Sequence, residues 1–122
     1  MRKSAKSTLA LAGTLALVMG SLSVAPVVAN AASAVEEGKK IAFHKKKGNC
    51  LACHKIAGGK AAGNVGPALV NMKARFPNKK AMRDQMWDAT VRNPNTMIPP
   101  FGKHKILTEE ELDKVVEFIY TL

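Results

Sequence analysis

The clearest periodic pattern of apolar positions lies near the end of the chain. Apolar side chains recur there at spacings of three and four residues, at Leu112, Val115, Val116 and Ile119. Thr108 and Glu111 form a capping-box pattern just before this stripe, and acidic residues crowd the first turn, where the helix dipole favours negative charge. The pattern therefore predicts an amphipathic helix that begins after Thr108 and runs to Tyr120 or the end of the chain.

A second helix is predicted from Ser33 or Ala34 onward. One side of it carries Val35, Gly38, Ile41 and Ala42. A glycine inside a helix costs about 1 kcal/mol of helix propensity. We therefore expect Gly38 to mark a close crossing by another helix, with a glycine in a frayed turn as the alternative.

The middle of the chain alternates between irregular backbone and short helices. Five glycine and proline positions between Lys55 and Leu69 predict an irregular segment that wraps around something: Gly58, Gly59, Gly63, Gly66 and Pro67. A short helix is predicted from Leu69 to Arg75, ending before Pro77. With no strand pattern in the mature chain, the sequence predicts an all-α domain with helices at both ends.

A further helix is predicted to begin with Asn78 as its N-cap and to end at Asn93-Pro94. It turns Met82, Met86 and Ala89 inward at spacings of four and three. Methionines at helical spacing are more often core side chains than metal ligands. Met82 and Met86 are therefore assigned to the core.

The start of the chain has the pattern of a secretory signal. Basic residues at positions 2, 3 and 6 precede a stretch without charge from Ser7 to Ala34, and its apolar centre, Leu9–Met19, is shorter than the roughly 20 residues of a membrane span. Small residues at Ala29-Asn30-Ala31 predict cleavage after Ala31. The prediction is a leader at residues 1–31 and one domain at 32–122, in a periplasmic protein; an uncleaved N-terminal anchor is the alternative.

Composition adds two constraints. The 91 residues after the leader lie near the lower limit for a self-sufficient core, and with only two cysteines a large buried cofactor becomes attractive. These residues carry 16 basic against 9 acidic side chains, a net charge of +7. An exported chain with one Trp, one Tyr and no nucleic-acid-binding motif does not fit nucleic acid. The charge indicates either a hydrated surface or steering toward an acidic protein partner.

The sequence Cys50-Leu51-Ala52-Cys53-His54 carries the main functional prediction. Two cysteines at this spacing can form thioethers with the vinyl groups of one haem, and the adjacent His54 then supplies an axial ligand to the iron. A redox-active disulfide is less suitable because it needs a βαβ setting. A zinc site with His44 and His104 is also less suitable, because neither belongs to a compact second ligand pair.

Met97 is the predicted sixth ligand. It lies in a loop with Pro94, Pro99 and Pro100, whose fixed backbone can hold a flexible thioether at the metal. A thioether ligand favours reduced iron and raises the potential. His104 and His44 are competing ligands, and a purely structural Met97 in the core is a further alternative.

Pro67 is predicted to orient His54. A metal-bound histidine needs a hydrogen-bond acceptor on its other ring nitrogen. The carbonyl of Pro67, in the loop that follows the cysteines, can be that acceptor.

The chain resembles the class I cytochromes c over the whole segment after the leader, in its helix, its CxxCH motif, Gly66-Pro67-Ala68-Leu69, its methionine loop and its final helix. Within that class it resembles the SoxX monohaem subunits of bacterial sulfur oxidation. That resemblance is carried by residues 48–54, 64–69, 87–88, 93–94 and 99–108. One position departs from the pattern, since Ile98 stands before Pro99, where the family methionine is expected.

The resemblance implies a heterodimer with a SoxA-type cytochrome, which couples thiosulfate to a cysteine of a SoxYZ-type carrier protein. The substrate chemistry would belong to the partner, while this chain would accept electrons and pass them to a downstream cytochrome. No residue of the chain has the pattern of a nucleophile or base for the sulfur step. A free periplasmic electron shuttle and a haem enzyme with an open iron site are the alternatives.

Overall fold

The computed structural model describes residues 26–122, with side chains from residue 30 onward. It contains α1 (Pro26–Phe43), a first 3-10 turn (Cys50–Ala52), α2 (Met72–Arg75), α3 (Lys79–Trp87), a second 3-10 turn (Ala89–Val91) and α4 (Glu109–Ile119). No strand occurs in this part of the chain, so the predicted all-α class is confirmed.

Most of the predicted leader, including its basic start and apolar centre, lies outside the described residues. Helix α1 begins at Pro26, earlier than the predicted start at Ser33. Proline is favoured at a first helical position, and the alanines that follow are the strongest helix formers. The predicted cleavage after Ala31 falls within this helix and stays a prediction.

Within residues 26–122, none of the helices combines the length and the apolar character that crossing a bilayer requires.

Helices α1 and α4 cross at Gly38. A Cβ atom at Gly38 would collide with the carbonyl oxygen of Lys114 and lie 3.0 Å from the nitrogen of Val115. The predicted close approach of a second helix is therefore confirmed, because only glycine leaves room for the α4 backbone. Phe43 and Phe118 add an edge-to-face ring contact, 5.8 Å between centroids.

Helix α4 supplies the largest part of the core. Its buried side chains are Leu112, Val115, Val116, Phe118 and Ile119. The predicted capping box is confirmed: Glu111 N–H donates to Thr108 Oγ1 at 3.2 Å, and Thr108 N–H donates to Glu111 Oε2 at 3.1 Å. These bonds satisfy two backbone donors that the helix itself leaves without partners.

Helix α3 begins as predicted, since the Asn78 side chain accepts a hydrogen bond from Lys80 N–H at 2.9 Å. The prediction that this helix continues to Asn93-Pro94 is wrong, because α3 ends at Trp87. Asp88 adopts an extended conformation, with φ of −150°, and caps the second 3-10 turn through Thr90. The predicted start of α2 at Leu69 is also wrong: Asn71 has φ of 53°, and the helix begins after it.

The predicted irregular segment after the cysteines is present, and it folds back on the first 3-10 turn. Gly63 N–H donates to Leu51 O at 2.7 Å, and Gly66 N–H donates to Cys53 O at 2.9 Å. This backbone therefore forms a layer directly against the CxxCH motif.

Candidate functional site

A cleft of about 730 Å³ opens between the CxxCH turn, α3 and the loop before α4. All five residues predicted for the site line it: Cys50, Cys53, His54, Pro67 and Met97. The volume is within the range of roughly 300–1,000 Å³ that is typical of cofactor and ligand pockets. The structure therefore brings the predicted residues, drawn from three segments of the chain, to one cavity.

The cleft wall is largely apolar and continuous with the core. Its apolar side chains include Leu69, Met72, Phe76, Met82, Met86, Phe101 and Ile119. A wall of this kind favours a large, flat, mostly apolar group, because it removes the apolar surface of that group from water. Together with two thiols and an imidazole, this lining fits a haem.

The two cysteines are held on one tight turn. Asn49 has φ of 47°, which turns the chain into the 3-10 turn, and His54 N–H donates to Cys50 O at 2.9 Å. Both thiols are free and partly buried. Burial raises the pKa of the Cys50 thiol to about 11, with the neighbouring Cys53 adding to the shift, because the thiolate is poorly solvated there. As long as its sulfur is free, Cys50 is therefore protonated at neutral pH.

His54 is oriented by the backbone of Gly66-Pro67. Its Nδ1 lies 2.6 Å from the carbonyl oxygen of Pro67. Because a carbonyl only accepts, Nδ1 carries a proton, and in the neutral imidazole Nε2 then keeps a lone pair. Nε2 has no hydrogen-bond partner within the described residues, so that lone pair is free for a metal.

Gly66 allows this arrangement. A Cβ atom at Gly66 would collide with Cε1 of His54 and lie 2.6 Å from Nδ1. The imidazole therefore packs directly against a backbone that only glycine can supply. The sequence pattern indicated the Gly66-Pro67 pair, but it predicted a role for the Pro67 carbonyl alone.

Met97 lies at the rim of the cleft, with 79% of the residue exposed. The alternative of a Met97 buried in the core is therefore wrong. The neighbouring residues are fixed by short turns: Thr96 N–H donates to Asn93 O at 3.0 Å, and Ile98 N–H donates to Thr96 Oγ1 at 3.1 Å. The loop therefore places the Met97 thioether beside the cleft and leaves most of the side chain exposed.

The competing histidines lie elsewhere. Of the three histidines, all within the described residues, only His54 lines the cleft. His44 is exposed and its Nδ1 accepts a hydrogen bond from Lys46 N–H at 3.1 Å, while His104 is exposed in the turn before α4. Neither is placed beside the cysteines.

The alternatives to haem also find little support in the described part of the chain. No group of three or more His, Cys, Asp or Glu side chains within residues 26–122 is placed to hold a metal ion. The strands that a βαβ redox motif requires do not occur there either.

The helical pattern predicted that Met82 and Met86 face inward, but it did not show that they line the cleft. Met82 is buried as predicted, and Met86 is half-buried beside it. Both also line the cleft. The helical spacing correctly indicated the inward face of α3, but the interior that this face meets is the wall of the candidate cofactor site.

Comparison with known proteins gives two matches. The protein family described as "Cytochrome C oxidase, cbb3-type, subunit III" matches residues 33–119, which include every cleft residue named above. A curated protein of Aquifex aeolicus (strain VF5), described as "Uncharacterized lipoprotein", is 35% identical over 84 residues. The match covers 62% of this chain and 37% of that relative, so the chain spans well under half of its length.

Proposed function

The chain belongs to the family of cytochrome c domains described as cytochrome c oxidase, cbb3-type, subunit III, and from this premise we propose that it is a monohaem electron carrier. Membership in this family implies haem c and electron transfer. The number of haems and the residues that hold them are our proposal. The observation that carries it is the convergence of Cys50, Cys53, His54 and Met97 on one apolar cleft.

Each residue has a distinct task in this proposal. Cys50 and Cys53 anchor the group covalently, His54 binds the iron through Nε2, and the Pro67 carbonyl holds the imidazole in the required tautomer. Met97 supplies the second axial ligand. A haem held by these residues would supply reversible one-electron chemistry, and with two protein ligands its iron would offer no open position to a small molecule. The alternative of a haem enzyme with an open iron site is therefore not preferred.

Covalent attachment can be tested directly. Purified protein, denatured and extracted with acid acetone, is expected to keep its colour, to stain for haem and to exceed the polypeptide mass by one haem. A colourless polypeptide at its unmodified mass would overturn the proposal.

More narrowly, we propose the role of a SoxX-type electron-accepting subunit in a thiosulfate-oxidising complex. Its support is the sequence likeness around the cysteines and in Pro99-Pro100-Phe101-Gly102. In this role the chain forms a heterodimer with a SoxA-type cytochrome and meets the SoxYZ-type carrier only indirectly. The substrate chemistry takes place on the partner.

The distribution of charge supports a docking surface for such a partner. Lys45 and Lys46 are exposed and line the cleft, and within the described residues neither has an ion-pair partner. Lys47 pairs with Glu111, and Lys103 pairs with Asp88. The docking charge therefore lies on Lys45 and Lys46 at the cleft and on Lys105 at the neighbouring turn. Salt is expected to weaken this interaction.

Co-purification tests this role. An affinity-tagged chain is isolated from cells grown with and without thiosulfate, and every band is stained for haem. A second haem-containing band in stoichiometric amount supports the complex. Isolation of the chain alone under both conditions would contradict it.

A free electron shuttle is the second candidate. The family match to an oxidase subunit favours delivery of electrons toward a terminal oxidase. In either role we propose a periplasmic location, which the predicted leader supports and with which the name of the relative, a lipoprotein, agrees. Cell fractionation with haem staining checks the location, and haem stain confined to the cytoplasmic fraction would contradict it.

A further inference from the structure

Asp88 is the only charged or polar residue classed as buried among the described residues, with 7% of its surface exposed. It lies at the junction between α3 and the second 3-10 turn. A buried carboxylate is costly unless it is paired and hydrogen-bonded. The two carboxylate oxygens of Asp88 have different partners: one bonds to Thr90 and the other to Lys103.

The first oxygen fixes the start of the Met97 loop. Asp88 Oδ1 accepts hydrogen bonds from Thr90 N–H at 3.1 Å and from Thr90 Oγ1–H at 2.5 Å, which shape the second 3-10 turn. At the end of that turn, Asn93 N–H donates to Ala89 O at 3.1 Å. Ala89 is fully buried. The chain therefore enters the loop from a fixed point.

The second oxygen fixes the end of the loop. Lys103 Nζ donates to Asp88 Oδ2 at 2.6 Å, and Lys103 N–H donates to Trp87 O at 3.2 Å. Gly102 lies directly against the indole of Trp87, where a Cβ atom would collide with the ring. Both ends of the loop are thus attached to one short stretch, residues 87–89.

Between these ends, the hydrogen bonds found in residues 94–98 stay within the loop. Asn95 N–H donates to Asn93 Oδ1 at 3.0 Å, and Ile98 N–H donates to Thr96 Oγ1 at 3.1 Å. Met97 itself is largely exposed. The position of its sulfur relative to the cleft therefore depends on how the two ends are held.

We propose that Asp88 is a positioning residue for Met97: its carboxylate joins the two ends of the loop and thereby determines how firmly the methionine holds the iron. The inference rests on the proposed role of Met97 as the sixth ligand. The Lys103 ion pair also lowers the pKa of Asp88, with the Thr90 hydroxyl as the next cause, so the carboxylate stays charged at neutral pH.

Asp88→Asn separates this role from helix capping. Asparagine caps as well as aspartate and keeps an oxygen for Thr90, but it removes the charge that holds Lys103. The matched control is Asp84→Asn, which removes an exposed ion pair with Lys80 from the same helix.

The measurement is competition at the iron of the ferric holoprotein. Imidazole is titrated in, and loss of the methionine-to-iron charge-transfer band is followed. Because altering the residues that orient a ligand typically weakens metal binding about 10- to 100-fold, Asp88→Asn should raise the apparent affinity for imidazole on the order of tenfold. Asp84→Asn should match the wild type, and both variants should keep their helical circular dichroism.

Lys103→Met provides a second approach, since it removes the same pair from its half-exposed end and keeps the aliphatic stem. If Asp88→Asn does not accumulate, this variant carries the test. The inference is overturned if the variant that folds, Asp88→Asn or Lys103→Met, binds imidazole with the wild-type affinity. It is also overturned if Asp84→Asn gains as much affinity for imidazole as that variant.

Met97→Ala distinguishes the two levels of the proposal. A band that persists in Met97→Ala removes Met97 from the iron and overturns the ligand assignment together with this inference. If the band is lost in Met97→Ala, but Asp88→Asn has the same apparent affinity for imidazole as the wild type, only the inference about Asp88 is overturned.

Discussion

The two walls of the cleft are built in different ways. The His54 wall is held by direct bonds between neighbouring segments, from Gly66 N–H to Cys53 O at 2.9 Å and between His54 Nδ1 and Pro67 O at 2.6 Å. On the other wall, Met97 is 79% exposed, and within the described residues the hydrogen bonds that join its loop to other segments lie at the ends of the loop. The first wall is rigid at the ligand, and the second is rigid only at its attachments.

This difference separates two properties of the site. In the proposed site, the wall that carries the cysteines has to align two thiols for covalent attachment and one imidazole for the iron, so its geometry has little freedom. If Met97 is the sixth ligand, as proposed, its wall affects the strength of one coordinate bond, and with it the reduction potential. Changes to the first wall should therefore prevent assembly, while changes to the second should tune the assembled protein.

The largest effect is expected from His54→Ala. This variant removes the proposed ligand that Pro67 orients, and we expect almost no normal holoprotein, measured by haem stain per milligram of purified protein. His104→Ala is the control because His104 is exposed outside the cleft, and it should yield as much holoprotein as the wild type. Equal yields from both variants would contradict the assignment of the rigid wall.

Gly66→Ala should have the next largest effect. The new methyl group would collide with the imidazole, and overpacking of this kind typically costs about 1–3 kcal/mol. Urea unfolding of the holoprotein measures this loss. Pro67→Ala keeps the carbonyl that bonds to His54 and should lie within about 1 kcal/mol of the wild type. A Gly66→Ala protein as stable as Pro67→Ala would show that this wall is not rigid.

Met97→Ala should leave the haem attached and the fold intact. Loss of the thioether should lower the reduction potential and remove the methionine-to-iron charge-transfer band, measured by redox titration and absorption spectroscopy. Met86→Leu is the control, since Met86 is the half-buried methionine of the same cleft. If the band is lost in Met86→Leu and kept in Met97→Ala, the methionine ligand is Met86 of α3 and not Met97.

The smallest effect is expected when the pH is lowered far enough to protonate Asp88. The folded protein lowers the pKa of Asp88, so its stabilising contribution is complete above the unfolded pKa and is lost as the pH falls through the folded pKa. The stability difference between wild type and Asp88→Asn should therefore be constant near neutral pH and shrink below about pH 4. Urea unfolding at several pH values measures it. A difference that grows on acidification would contradict the proposed pairing.

Sequence patterns predicted the parts of this fold that depend on neighbouring residues. The α4 capping box, the Asn78 cap and the close crossing at Gly38 follow from spacing and local chemistry, and all three are confirmed. The Pro67 carbonyl also lies where the sequence placed it, at hydrogen-bonding distance from His54.

Features that depend on distant residues were missed. The end of α3 at Trp87 reflects Asp88, whose buried carboxylate also bonds to Lys103, fifteen positions along the chain. No local pattern encodes that partner. In the same way, the sequence identified the Met97 loop by its prolines but could not show that the sulfur lies at an exposed rim, because exposure is set by the packing of α3 and the loop together.

The crossing at Gly38 has a consequence for the order of folding. It joins helices that flank most of the cleft-lining residues, so forming it closes a long loop, and the entropy of loop closure delays such contacts relative to local turns. The bonds around the cysteines span short separations and can form sooner. We therefore expect a folding stage in which the turn that carries Cys50 and Cys53 is formed, but α1 and α4 have not yet crossed. The cleft would still be open to an incoming haem at that stage.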